Sequence, residues 1–527
     1  MQWLRRTPLG RLFGHETDAL PVDLLRVAIG LLSLVYFFTL ARDASDISGP
    51  DGLIDHALVQ DIFWFTRIGL FHPGLSLLQL QGVFALGMLA SVGVILGWRV
   101  RLCALYLFLV AASAFRWNLL VAYVDDAILH LLLFWLLLLP VGRTLTLAEA
   151  WRDPSSAWER WKQARVPGTA VGAFLLNLTL IYLVAGLWKW TSPMWRDGTA
   201  LFAVLKLPVS YFPEFWQPHH VPWLRWVTWS ALVLEPLIPL ALLLRRGHPL
   251  KGALVIGMIG FHLGIIATLR IPFANFACLF SALLFLREEL MAVLSRTSAS
   301  NPAPAPAPTS VASAGWRGRF AVGFVIVLTL AMVRNVPVGA AVKPQQYNPT
   351  AMAIDPRSSG GLGAVHEWLY GALWLIGIAQ EYQLFNWIDV RNYHAFYEVV
   401  EIDGDVRRPI DSRELFPRTT RSALLQCYLY DLCWLKIPPD RNAELKESFA
   451  QRFAQRYCRT HTPRGTVVVT ATLTRITAAQ PHEVVWGPEP LFRFTLREGR
   501  VVMNPPMPPR QVTANPSSHA ATTGGDR

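Results

Sequence analysis

Three ionisable residues lie inside long apolar stretches of this 527-residue chain: Lys189 between Trp188 and Trp190, Glu235 before Pro236, and His262 after Phe261. Asp125 and Asp126 open another apolar stretch, with His130 about one turn deeper, and Arg26 lies in the first. Charged side chains in such places are costly and usually face a cavity. The chemistry these residue types offer is acid–base. A lysine kept in a dry, apolar site has its ammonium form disfavoured and can work as a base near neutral pH. Water exclusion would also protect a strong base formed there. Each residue has a plainer reading. Lys189 can snorkel to an interface, Asp125 and Asp126 can be loop residues, and His130 and His262 can be hydrogen-bonded core histidines. Arg26 reads as a structural anchor. Glu235 can be a neutral acid packed at a proline kink.

The elements that must hold these residues are membrane helices. The chain is 53% hydrophobic and 16% charged, against roughly 25% charged in a soluble domain. This excludes a disordered chain and a plain soluble enzyme. Crossing a membrane takes about 20 apolar residues. Nine stretches qualify, near 22–41, 77–97, 102–116, 119–140, 168–189, 224–244, 252–270, 272–286 and 318–338. Segment 56–71 is amphipathic and is expected to lie flat on the surface. With the N-terminus inside, the cytoplasmic segments hold 17 Lys and Arg and the outer ones 8, so the positive-inside rule puts the N-terminus in the cytoplasm. The net charge of +12 is then largely a topology signal, with no nucleic-acid stripe. In this topology Lys189, His262, Glu235, Asp125, Asp126 and His130 fall in the outer half, which suggests a pocket open to that side and to the lipid.

Nine spans place everything after 340 outside. The expected fold is an α-helical polytopic membrane protein of about nine transmembrane helices with a C-terminal extracytoplasmic α+β domain. Its parts are a cytoplasmic N-terminus (1–21), a transmembrane domain (22–296), a Pro/Ala-rich linker (297–316) and a ninth helix (317–340). A β-rich domain with an interfacial helix near 365–385 (341–505) and a disordered tail (506–527) follow. Period-two runs at 394–402, 465–475 and 490–496 predict strands. Leu445, Phe449, Phe453 and Tyr457 at four-residue spacing predict a helix over 440–458. Cys103 and Cys278 read as packing residues. Cys427, Cys433 and Cys458 allow one disulfide and leave one thiol over. No metal-ligand pattern stands out, and no phosphate-binding loop or nucleophile elbow is present.

Several motifs, in order, carry a resemblance. They are AspLeuLeuArgValAlaIleGly (23–30), LeuGlyTrpArgValArg (96–101), SerAlaPheArgTrpAsn (113–118) and TyrValAspAspAlaIleLeu (123–129). TyrLeuValAlaGlyLeuTrpLysTrp (182–190), MetTrpArgAspGly (194–198), GlyPheHisLeuGlyIleIleAla (260–267) and ProPheAlaAsnPhe (272–276) complete the set. Together they resemble the HTTM (horizontally transferred transmembrane) family, related to vitamin K-dependent γ-glutamyl carboxylase, over roughly 20–290.

The resemblance implies an integral membrane enzyme of a bacterial cell membrane. Its lysine base deprotonates a reduced, vitamin K-like quinone that then reacts with O2, giving quinone epoxide and an alkoxide. The alkoxide permits CO2 addition to a glutamyl-type substrate, such as a peptide or protein acceptor on the outer side. By position in the motifs, Lys189 matches the lysine and His262 the pocket histidine. Trp188, Asp125, Asp126, His130 and Glu235 are the expected quinone- or substrate-binding residues. The carboxylase has a second catalytic histidine where this chain has Asp125, and an ionised carboxylate cannot donate a hydrogen bond. The quinol half-reaction is thus carried over more directly than carboxylation. Two competing readings are a non-catalytic lipid- or quinone-binding or transport protein, and a scaffold presenting its outer domain.

Overall fold

Backbone N–H and C=O groups find no water in hydrocarbon, so an apolar stretch of this length must satisfy them internally as a helix. A computed structural model of the chain describes residues 16–122, 124–152, 154–207, 209–296, 315–333, 393–411, 439–476 and 483–504, with Phe13 and two short pieces near 370. The linker, the tail, Cys427, Cys433 and most of the expected interfacial helix at 365–385 lie outside the described residues.

Each of the nine apolar stretches holds a helix. They are α1 (Ala19–Arg42), α2 (Leu77–Leu96), α3 (Val100–Trp117), α4 (Val124–Leu138), α5 (Thr169–Thr191), α6 (Val221–Leu237), α7 (Pro249–Thr268), α8 (Pro272–Phe285) and α9 (Trp316–Val333). Five of them, α1, α2, α3, α5 and α7, are long and apolar enough to cross a membrane, and α8 is a shorter apolar helix. Local chemistry sets their ends. Ser76 and Gln79 form a reciprocal capping box at the start of α2. Gly97 ends α2 in the left-handed region at φ 73°, and a Cβ there would strike Thr146. Leu78, Leu89, Leu102 and Ile256 are more than half exposed, as suits side chains that face lipid.

The core follows the helix order. α1 packs on α2 and α8, α3 on α4, α4 on α8, α5 on α6 and α9, and α7 on α8. At one end of the bundle Asp23 and Arg26, both fully buried, tie three segments together. The Asp23 carboxylate accepts hydrogen bonds from the backbone N–H groups of Gly142 (2.6 Å), Arg143 (2.9 Å) and Thr144 (2.7 Å). The Arg26 guanidinium donates to the carbonyls of Val94, Ile95 (2.8 Å), Thr144 (3.2 Å) and Leu145 (2.9 Å). Two of these are last-turn carbonyls of α2, where a helix end leaves acceptors short of partners. Arg26 is therefore an anchor.

Beyond α9 the described chain forms a five-stranded antiparallel sheet. Its strands are β1 (Tyr393–Asp403), β2 (Val406–Ile410), β3 (Thr466–Arg475), β4 (Glu483–Arg497) and β5 (Arg500–Asn504), in the order β2-β1-β3-β4-β5. Helix α10 (Pro439–Thr460) lays Leu445, Phe449, Phe453 and Tyr457 on Val467, Val469, Phe492 and Phe494. The three expected strands and the helix are present, and β2 and β5 are additional short hairpin partners.

Segment 56–71 does not form a spanning helix. It is a short helix, His56–Ile62, and a 3-10 turn, Trp64–Arg67, with Trp64, Ile68 and Leu70 exposed. Its apolar side, Val59, Phe63 and Phe65, is buried in the same cluster as Leu445, Phe449 and Phe453. Its partner is protein because the loop after α1 carries a ladder of acids that meets a ladder of arginines on α10. Arg452 reaches Asp55 at 3.4 Å, Arg456 reaches Asp46 at 2.9 Å and Arg459 reaches Asp51 at 3.8 Å. Ser448 donates to Asp55 at 2.9 Å. The C-terminal domain thus sits on the face of the bundle that carries the α1–α2 loop.

Candidate functional site

The site begins at the end of α5, with Gly186, Lys189 and Trp190. At Gly186 a side chain is excluded, because a Cβ there would lie 2.7 Å from Pro236 Cδ and 3.0 Å from the Pro236 nitrogen. Glycine lets the backbones of α5 and α6 approach closely. Pro236 in turn cannot donate to Leu232, four residues earlier. That freed carbonyl accepts a hydrogen bond from the Trp190 indole N–H at 3.1 Å. With the two helices stitched at these points, Lys189 meets Glu235. The ammonium nitrogen donates to both carboxylate oxygens, at 2.6 Å to Oε2 and closer still to Oε1. Both side chains are 3% exposed. The ring of Trp195 lies 4.9 Å from Nζ and that of Phe261 5.7 Å from it, so aromatic faces also hold the cation.

One helix further, His262 is buried on α7 with both ring nitrogens engaged. Nδ1 is 2.8 Å from Asn275 Oδ1 on α8, and Nε2 is 2.5 Å from the Tyr182 hydroxyl on α5. Phe261, next to His262 on α7, lies with its ring 5.7 Å from Lys189 Nζ, and Tyr182 and Lys189 lie on one face of α5. The amine and the imidazole therefore share one interior between α5, α6, α7 and α8. A ligand could touch His262 directly only by displacing Tyr182 or Asn275.

The other expected residues sit apart from this pair to differing degrees. Asp125 is close by connection, because its Oδ1 accepts the Ala274 backbone N–H at 2.7 Å, beside Asn275 at the start of α8. Asp126 accepts from the Tyr36 hydroxyl at 2.6 Å and ties α4 to α1. His130 stacks on Phe108 with centroids 4.5 Å apart. Trp188 packs in the main apolar core, and its buried indole N–H has no acceptor among the described residues.

Sequence reading did not single out Tyr182, Asn275, Trp195 or Phe261 as site residues. Tyr182 was findable, since it lies seven residues before Lys189 and so on the same helix face. Asn275 was also findable, as an amide inside an apolar helix. Trp195 was not, because only the turn at Pro193–Asp197 brings it back over Lys189. Near this site Ile476, at the end of β3, is fully buried in a cluster with Trp195, Leu269 and Ile271.

Fold and site together define a multi-pass membrane protein with a buried acid–base cluster. The chain belongs to the HTTM family: the HTTM domain matches residues 15–289, more than half of its length. That family is related to the γ-glutamyl carboxylase membrane proteins. No curated protein and no solved structure matches the chain.

Proposed function

We propose that this protein is an integral membrane enzyme that uses Lys189 as a base on a reduced membrane quinone, in a reaction with O2 that gives the epoxide. Coupled carboxylation of a glutamyl-type group on a peptide or protein acceptor, with CO2, is the extended form of this reading. The single observation that carries it is the dry Lys189–Glu235 pair at the motif position of the family's lysine.

The residues present fit such a group. Trp195 and Phe261 offer flat apolar surface, and the buried Trp188 N–H offers a donor to an oxygen. A reduced quinone supplies an acidic hydroxyl and the electrons for O2. The chain supplies the rest. Lys189 is a base only without its own proton, and Glu235, with both oxygens on Nζ, is the group that takes it. The pair then holds one proton on the carboxyl while the amine accepts another. The aromatic rings and the paired α5 and α6 keep water out. Asp125, Asp126 and His130 fix α4 beside this interior, and through it the binding region.

Nine spans, a cytoplasmic N-terminus and an extracytoplasmic C-terminal domain in a bacterial cell membrane complete the reading. The nine helices, the Lys and Arg asymmetry and the docking of the domain beside the acidic α1–α2 loop support it. Non-catalytic binding or transport of a quinone or lipid is the second reading, favoured by the mutual satisfaction of Lys189, Glu235 and His262. The purified protein in lipid bilayers, given a panel of reduced quinones and O2, separates the two. The enzyme reading expects epoxide by mass spectrometry and its loss by roughly 10²-fold or more in Lys189→Met. Quinone binding without epoxide establishes the second reading instead.

A further inference from the structure

We propose that Tyr182 is a second acid–base group of this site, with His262 behind it as proton acceptor and Asn275 as the residue that positions the ring. The ligand assumed is that of the quinol reading, but the direction of the hydrogen-bond chain is independent of it.

The direction follows from what each atom can do. Asn275 Nδ2 donates to the backbone carbonyl of Ile271 at 2.6 Å, and a carbonyl can only accept. The Asn275 atom facing His262 Nδ1 is thus Oδ1, at 2.8 Å, again an acceptor only. Nδ1 must therefore carry the ring proton. In a neutral imidazole this leaves Nε2 bare. The Tyr182 hydroxyl, 2.5 Å away, must donate to it. The chain runs one way, from Tyr182 to His262 to Asn275. A hydroxyl, an imidazole and a fixed acceptor in this order form the arrangement that moves a proton off an oxygen.

Placement supports more than a packed histidine. Tyr182 and Lys189 are seven residues apart on one face of α5. Tyr182 of α5 is the titratable group bonded to His262; the Lys189–Glu235 pair of α5 and α6 meets Phe261, the residue before it, and Asp125 of α4 reaches the start of α8 at Ala274. A reduced quinone has two hydroxyls, and one lysine serves one. In the step assigned here the Tyr182 O–H bond breaks and its proton bonds to His262 Nε2. Tyr182 Oη then takes a proton from a ligand hydroxyl, which keeps the bonding pair and becomes the anion. The imidazolium charge faces Asn275 Oδ1. No electrons are transferred, and one proton has moved from ligand to ring.

Solid-state ¹⁵N NMR of the full protein in bilayers, labelled at histidine, tests the direction, with the His262→Gln spectrum as the assignment control. The expected His262 signals are a protonated Nδ1 and a bare, hydrogen-bonded Nε2. In Tyr182→Phe, Nδ1 stays protonated and Nε2 moves to the position of a free acceptor, which also shows that the variant is folded. A ring protonated on Nε2, or on both nitrogens at rest, overturns the chain. With a reduced quinone, Tyr182→Phe is expected to lose about 100-fold in kcat with KM nearly unchanged. Unchanged kcat in the folded variant overturns the acid–base assignment. If the unmodified protein turns over no quinol at all, the quinol reading fails and the assignment with it, while the NMR result still decides the direction of the chain.

Discussion

At the scale of residues, Lys189 and Glu235 exist in this interior only as a pair. A buried ion pair adds little stability over apolar residues of similar size, but removing one partner strands the other, at about 3–5 kcal/mol. Lys189→Met is therefore expected to lower thermal stability in detergent by an amount of that order. The double variant Lys189→Met with Glu235→Leu is expected to recover most of it, since no charge remains to be buried. Quinol turnover stays lost in both, and this separates the chemical role of the pair from its structural one. A double variant as unstable as the single one would contradict the account of the pair. Asp23 and Arg26 follow the same arithmetic at the other end of the bundle. Arg26→Met removes the charge that balances buried Asp23 and the guanidinium that bonds the last carbonyls of α2, so a loss of about 3 kcal/mol or more is expected. Turnover per folded molecule is expected to be unchanged, measured against an active-site titration.

At the scale of elements, the junction of α5 and α6 decides the geometry. Gly186→Ala places a methyl against the Pro236 nitrogen, which is backbone and cannot turn aside. The helices must part, at about 1–3 kcal/mol, and Lys189 moves off Glu235. Epoxide formation is expected to fall while Trp190→Phe, which loses only the bond to the Leu232 carbonyl, has a smaller effect on the same assay.

This junction also shows what the sequence could and could not reveal. Hydropathy located the nine described helices α1–α9, because a run of apolar residues marks each, and five of them have the length to cross a membrane. The proline kink beside Glu235 was legible for the same local reason. Pairing was not legible, since it depends on which helices touch. Nothing in the spacing of Gly186, Lys189 and Glu235 says that α5 meets α6 there. His262 could be matched to a pocket by its motif, yet its commitment to Tyr182 and Asn275 needs three helices in place. Segment 56–71 shows the limit of amphipathicity, which reports an apolar face but not whether lipid or protein covers it.

At the scale of the whole molecule, the C-terminal domain is held to the bundle by an apolar cluster that joins Ile47, Leu53, Val59, Phe63 and Phe65 to α10 and its sheet, bordered by Arg452, Arg456 and Arg459 on the acids of the α1–α2 loop. Burial pushes the Asp55 carboxyl up, but hydrogen bonds from the Leu58 N–H and Ser448 and the charge of Arg452 outweigh it and hold it below its ordinary value. His56 beside it is driven down by burial to about 4, against the pull of the Ile47 and Trp117 carbonyls. A depressed carboxyl stabilises the docked state above its ordinary value, and that stabilisation goes as pH falls through the folded value. A depressed histidine costs stability as pH falls from 6.5 toward about 4. On acidification the α1–α2 loop is thus expected to loosen first, as His56 against Trp117 protonates, and the docking of α10 to weaken next, as Asp55 loses its charge. Hydrogen exchange along 46–65 and α10 measures it, and protection that is flat between pH 7 and pH 4 would contradict it. Ile476 beside Trp195 joins this domain to the roof over Lys189. The most direct measurement of the central claim is epoxide formed from a reduced quinone and O2 by the protein in bilayers, compared with Lys189→Met. Epoxide from the native chain and its near-complete loss in the variant is the predicted result. Equal epoxide from both, or none from the native chain across the quinone panel, would contradict it.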